Sequence, residues 1–481
     1  MEEMMKPIRF SLTVVFCLLL AGCGVEGETA TAVSTALGTA VPARVAVVRN
    51  TAVAPTSIQL PVADTAVPTS TVAPTNTLPS QPTTTPANTP IPLPPPPGQI
   101  VFLWNPEPVD PTGPQPQNLY FIAPGNVAGE WGLETTLTEL HGADLHLSPD
   151  NTKFTLRQFE DTNEDGIISV QGTDLSNIYL YPLSDKALTR LTDVKTNDFV
   201  EVTWLPDSQQ FTYAVEKDIY LFDLEDSASN KYLSLPGRIH DHQWSPDGYW
   251  LAIVSGLSDE TGSAPGGESD RLDLYDVETN RVLTVISKLG GSRINWSPDS
   301  QWFAFSHDSS NLGLSVASIN DLASIQLSSG LSFASWSPDG QWLAFTTQIG
   351  TGNLYLWNPD TLSTELLLEG YGRVSQPIWS PDSRYLAIAL NAEEESNLLV
   401  VDVNNKTTST LLIGPKPVPE PGPARWPLEM LSWSPDGQWI LFEASGEDKR
   451  TFSIVNHTNG ESFVVLDFTG TAAPENVYWL P

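Results

Sequence analysis

Cysteine is nearly missing from this 481-residue chain: there are two, Cys17 and Cys23, both within the first 25 positions. The rest of the chain therefore contains no disulfide and no thiolate metal site in any compartment. Basic residues are also scarce, with 23 Lys and Arg against 57 Asp and Glu and a formal net charge of −34. A field of that sign repels phosphate backbones and argues against nucleic acid as a partner. Several motifs are missing as well. There is no G-x-S-x-G nucleophile elbow, no His-Glu-x-x-His pair and no phosphate-cradling glycine loop.

The N-terminus reads as an address. Lys6 and Arg9 give a positive flank, weakened by Glu2 and Glu3, and a mostly apolar run follows from Phe10 to Leu20. That run is too short to serve comfortably as a permanent membrane-spanning helix, so residues 1–22 are expected to be a signal peptide. It leads into Leu20-Ala21-Gly22-Cys23, which resembles the bacterial lipobox. The resemblance implies diacylglycerol on the Cys23 thiol, cleavage just before it, and an extracytoplasmic protein held to the cell membrane or envelope by lipid. The alternative is an ordinary signal peptide with an incidental cysteine. Cys17 lies in the discarded segment and supplies apolar bulk.

Residues 23–98 change character to Thr, Pro, Ala and Val. From Gly24 to Pro97 there is no aromatic residue, and the only charges are Glu26, Glu28, Arg44, Arg49 and Asp64. Such a segment has nothing with which to build a core and is expected to be a disordered linker. Proline-rich chain extends at about 3.1 Å per residue, so it could hold the remainder on the order of 200 Å from the membrane. Thr-rich spacers can also carry O-glycans.

From residue 99 one phrase returns seven times. It stands as Leu147-Ser148-Pro149-Asp150-Asn151, Trp204-Leu205-Pro206-Asp207-Ser208, Trp244-Ser245-Pro246-Asp247-Gly248 and Trp296-Ser297-Pro298-Asp299-Ser300. It continues as Trp336-Ser337-Pro338-Asp339-Gly340, Trp379-Ser380-Pro381-Asp382-Ser383 and Trp433-Ser434-Pro435-Asp436-Gly437, in steps of 40 to 57 residues. The phrase makes sense as a hairpin turn: proline presets φ, Asp bonds nearby amides, and Gly or Asn tolerates the left-handed conformation that closes it. Serine at 208, 300 and 383 fits that last position less well and implies turns of differing type. β-prone residues precede each turn, and apolar runs such as Gln341-Trp342-Leu343-Ala344-Phe345 follow it. The recurring tryptophans are expected to pack between blades.

This pattern resembles the TolB-like propeller repeat, which is also found in the propellers of prolyl oligopeptidases. The resemblance covers roughly residues 99–481 and implies an all-β, four-stranded β-propeller. It says little about activity, and no α/β-hydrolase domain follows the propeller to supply a peptidase. Gln99–Trp104, Asn118–Ile122 and Thr135–Leu140 read as a blade lacking its first strand. Val477-Tyr478-Trp479-Leu480-Pro481 reads as a first strand cut off at its turn. Together they would complete one blade and close a ring of eight, with seven as the alternative if residues 99–140 pack outside.

In this topology most long insertions emerge on the face opposite the Ser-Pro-Asp turns: Asn105–Gln117, Glu160–Asp174, Leu257–Asp270 and Gly414–Leu428. Ala123–Glu134 is the exception. Elaborated loops on a rigid scaffold are where binding usually resides, so a protein or glycan partner is expected on the long-loop face; neutral drift of tolerated insertions is the alternative. One insertion carries a calcium pattern. Asp161, Asn163 and Asp165 would supply side-chain oxygens and Ile167 a carbonyl, with Gly166 at the bend. Gly172 stands where an EF-hand has its bidentate Glu, and Asp174 is expected to close the shell instead; a solvated acidic turn is the alternative. Of six histidines, His146 and the His240-Asp241-His242 run lie on expected inner strands. A blade intervenes between them, and alternation should point His146 and His242 to opposite strand faces, so packing roles are expected.

The sequence therefore supports a lipid-tethered, non-catalytic binding or scaffolding propeller. Two other classes stay open: a channel-centred polysaccharide lyase or hydrolase, and a glycan or peptide sensor subunit.

Overall fold

The computed structural model describes residues 96–105, 116–125, 131–164, 168, 174–194, 202–256, 270–289, 294–307, 313–330, 332–347, 352–370, 372–392, 395–414, 428–445, 450–468 and 474–481. Every one of them belongs to the compact unit Ala87–Pro481. They form eight antiparallel sheets of the kind expected, arranged as an eight-bladed β-propeller. The inner strands, in blade order, are Glu475–Leu480, Asp144–Leu147, Val202–Trp204, Arg238–Trp244, Ile294–Trp296, Ser332–Trp336, Ile378–Trp379 and Leu428–Trp433. In blade 7 a further piece, Arg373–Val374, pairs with the same second strand, so the inner edge is interrupted where Pro377 has no N–H to donate.

Blade 1 is composite, as the two chain segments predict. Inner strand Glu475–Leu480 pairs with Gln99–Trp104, which pairs with Pro116–Pro124 and then Trp131–His141. The register sets Trp479 opposite Ile100, as Trp336 stands opposite Leu343 in blade 6. The seven-blade alternative is thereby ruled out.

Second strands read as continuous apolar runs because each sheet is covered on both faces by its neighbours. Leu251, Ala252, Ile253 and Val254 are all buried, and they alternate between the core against blade 3 and the core against blade 5. Eight hydrophobic clusters result, one at each junction between successive blades. The turn tryptophans sit in them as expected, and each faces the preceding blade. Their indole N–H groups also staple the ring. Trp204, Trp296, Trp336, Trp379 and Trp433 donate to the carbonyls of His146, Gln243, Asn295, Ser335 and Ile378, each on the blade before.

The turns share one conformation. Asn151, Ser208, Gly248, Ser300, Gly340, Ser383 and Gly437 have φ between 56° and 74°, so the expected difference in turn type is not found. What alternates is the contact made with the preceding blade. Ser208, Ser300 and Ser383 accept the backbone N–H of Asp150, Asp247 and Asp339, each at 3.0 Å. Gly248, Gly340 and Gly437 lie over the rings of Pro206, Pro298 and Pro381, where a Cβ would just touch. Serine and glycine thus answer different neighbours, blade by blade.

Candidate functional site: the channel mouth

Inner strands end at the Ser-Pro-Asp turns, so their first residues lie at the opposite, long-loop end. Three groups of titratable side chains gather there. In blade 2, Asp144 Oδ2 stands 3.3 Å from His146 Nε2, both partly exposed. Burial raises the Asp144 carboxyl, but the hydrogen bond and charge of His146, with Arg157 and Asn476 beside it, outweigh this and hold it below the usual carboxylate range. Tyr478, on the inner strand of blade 1, donates its hydroxyl to the Leu145 carbonyl at 2.7 Å. Burial, and then the Asp144 charge, push it up to about 12.

Blade 4 contributes the second group. A bulge between Ile239 and Asp241 swings His240 out of register. Its Nε2 lies 3.7 Å from Asp270 Oδ1 on the third strand. Gly256 makes this approach possible, because a Cβ there would sit 2.3 Å from Asp270 Oδ1 and 2.7 Å from His240 Nε2. Deeper in the sheet, Asp273 is fully buried, paired with Arg271 Nε at 2.6 Å and accepting the Thr284 hydroxyl at 2.7 Å. Burial pushes Asp241 up to about 6. His242 has no exposed surface; burial, with a smaller contribution from the His146 charge, drives it down to about 3 against a Thr212 hydrogen bond that raises it.

The His146–His242 relationship differs from the expectation. The two side chains do leave opposite faces of their strands, but in a ring opposite faces of blades 2 and 4 both look at blade 3. His242 Nε2 lies 3.0 Å from Thr212 Oγ1 of blade 3, on the side shared with Trp244. Trp244 donates its indole N–H to that same Oγ1 at 2.9 Å, departing from the carbonyl staple used elsewhere. His146 looks at blade 3 from the other flank, and its charge is felt at His242. Alternation therefore brings the pair toward one another.

The third group is in blade 8, where Glu443 and Arg450 pair at 3.3 Å, each side chain one-tenth exposed. Glu429 is the strand neighbour of Glu443.

The expected calcium loop is only partly described. Asp165 and Ile167 lie outside the described residues, as does Gly172. Asp161 and Asn163 stand beyond the second strand of blade 2, Asn163 exposed. Asp174 is buried, and its Oδ1 accepts the Thr162 backbone N–H at 3.0 Å, which draws the two ends of the loop together. Among the described residues no group of three or more His, Cys, Asp or Glu is placed to hold a metal ion. Cys23 also lies outside the described residues.

Sequence reasoning did not single out Arg157, Thr212, Asp270, Glu443 or Arg450. Gly256 was the one available signal: a glycine closing an apolar strand marks a close approach.

No family model matches the chain, and no curated protein matches it significantly. Solved structures do. A eukaryotic initiation factor aligns with a TM-score of 0.50 at 11% identity, over 79% of this chain and 98% of that one. Dipeptidyl peptidase 4 from Porphyromonas gingivalis gives 0.50 at 10%, over 72% of this chain and 57% of that one. TolB from Acinetobacter baumannii aligns at 15% identity with a TM-score of 0.34, over 70% of this chain and 82% of that one. These likenesses concern the fold alone.

Proposed function

We propose that this protein is a lipid-anchored extracytoplasmic propeller that binds a protein or glycan partner on its long-loop face. The observation that carries this reading is the end of blade 1 at which the described chain enters it. Pro96–Gln99 lie against Leu480 and Pro481, at the Ser-Pro-Asp end of blade 1. The strand ends that flank residues 106–115, 165–173, 257–269 and 415–427 lie at the other end. A linker entering from one end leaves the elaborated end free to meet a partner.

A binding role agrees with the state of the channel-mouth side chains. Asp144 stands 3.3 Å from His146, and Glu443 is paired with Arg450. Such pairs hold the surface of the mouth in a fixed shape. The reading extends to Cys23 as the lipidated residue and to calcium at Asp161, Asn163, Asp165, Ile167 and Asp174, where the ion would order a partner-facing loop. The test is retention of envelope components by the immobilised soluble protein. Shortening residues 415–427 to a Gly-Ser bridge should abolish retention, and Asp360→Ala, in an exposed turn at the opposite end, should leave it intact. The reverse pattern would move the partner to the turn face.

A further inference from the structure

At seven of the eight blades a Pro-Asp turn joins the inner strand to the second and contacts the turn of a neighbouring blade. Blade 1 is different: its inner strand ends at Leu480 and its second strand begins at Gln99, from separate parts of the chain. Where the turn's last two residues would stand, a cavity of about 660 Å³ opens between blades 1 and 2. Gly98, Phe121, Leu183, Lys186, Pro481 and Asn151 are among its walls. Asn151 holds the place that Gly248, Gly340 and Gly437 hold over the preceding proline, and Pro481 is that proline here.

We propose that this cavity is the docking site of residues Ile91-Pro92-Leu93-Pro94-Pro95 of the same chain. The described chain begins at the cavity rim. Pro96 is buried, the Pro97 carbonyl accepts the Trp479 indole N–H at 3.0 Å, and Gly98 adopts φ 91° because a Cβ would lie 2.0 Å from the Leu480 carbonyl oxygen. The described chain is therefore held at a fixed point beside the opening. The chemistry of the upstream segment suits the walls. Ile91 and Leu93 are apolar, matching Phe121 and Leu183, while three prolines leave carbonyls with no N–H beside them. Lys186, whose ammonium lies 4.7 Å from the Phe121 ring centre and is paired with Glu134 at 2.7 Å, keeps further N–H groups for an acceptor-only backbone. Attachment in cis gives an effective concentration in the millimolar range, so a weak contact suffices to keep the site occupied. Docking does not depend on the lipid anchor.

Thiol accessibility in the full mature-length chain carrying Cys23→Ser tests this, because that protein has no other cysteine. Leu93→Cys should react with a hydrophilic maleimide at least tenfold more slowly than Leu78→Cys, at a rate independent of protein concentration. Filling the cavity with Ala123→Trp, or with the milder Ala123→Leu, should restore fast labelling of Leu93→Cys. Equal rates at 78 and 93, or protection unchanged by both fillers, would overturn the proposal. Protection that grows with protein concentration would also overturn it, by assigning the cavity to a second copy.

Discussion

Ser300 Oγ accepts the backbone N–H of Asp247 from 3.0 Å away, across 53 residues and one blade boundary. The serine holds a left-handed φ of 60° to do so, and it is almost fully buried. Ser300→Ala should leave a buried N–H unpaired while keeping the unfavourable φ, at a cost of about 2 kcal/mol. Ser300→Gly loses the same bond but relieves the φ penalty, so it should fall between alanine and wild type. Urea midpoints of the three proteins would show that order; a glycine variant less stable than alanine would contradict it.

Thr212 Oγ1 serves two buried partners at once, the Trp244 indole and the His242 ring. Thr212→Val keeps the shape and removes both bonds. It should cost roughly 3 kcal/mol, whereas Thr212→Ser, which keeps the hydroxyl, should cost about 1 kcal/mol or less. Equal melting temperatures for the two variants would remove this hydroxyl from the stapling scheme.

Asp241 and His242, on the inner strand of blade 4, act oppositely on stability. Asp241, raised to about 6, contributes most fully below the unfolded value near 3.8, and that contribution is lost as pH rises through 6. His242, lowered to about 3, stays neutral in the fold, so stability falls as pH drops from 6.5 toward 3 and the unfolded chain takes up the proton. Asp241→Asn should therefore stabilise the protein at pH 8 by roughly 2 kcal/mol and have little effect near pH 4. Denaturation midpoints at the two pH values decide this; a gain larger at pH 4 would reverse the assignment.

Calcium should raise the melting temperature of the soluble protein. The stabilisation is about 2.7 kcal/mol when free ion is a hundred times the dissociation constant. Asp161→Ala with Asp165→Ala should abolish the rise. An unchanged melting temperature between millimolar calcium and chelator would leave the loop as an acidic turn.

Cys23→Ser should release the protein from the membrane fraction or stall its processing at the precursor size. A variant that stays membrane-bound at its mature size would end the lipid-anchor reading.

The sequence by itself determined the four-stranded repeat, the two segments of the composite first blade and the placement of the turn tryptophans between blades, while the choice of eight blades over seven waited for the pairing of the chain's two ends. These follow from local chemistry: a Pro-Asp turn with a left-handed last residue can only join adjacent antiparallel strands, and an apolar run after it can only lie between two covered faces. Other relationships were decided by closure of the ring. Strand alternation says which side His146 and His242 leave their strands, but only the circular stacking of blades makes those two sides confront blade 3. Ser208, Ser300 and Ser383 look ill-suited to their turns until the preceding blade's Asp N–H is in place. The His240–Asp270 and Glu443–Arg450 pairs join residues on different strands, and in the first a bulge and a glycine set the approach. Periodicity within one strand carries information about its own faces. What each face meets depends on how many blades the chain must turn through before its two ends pair.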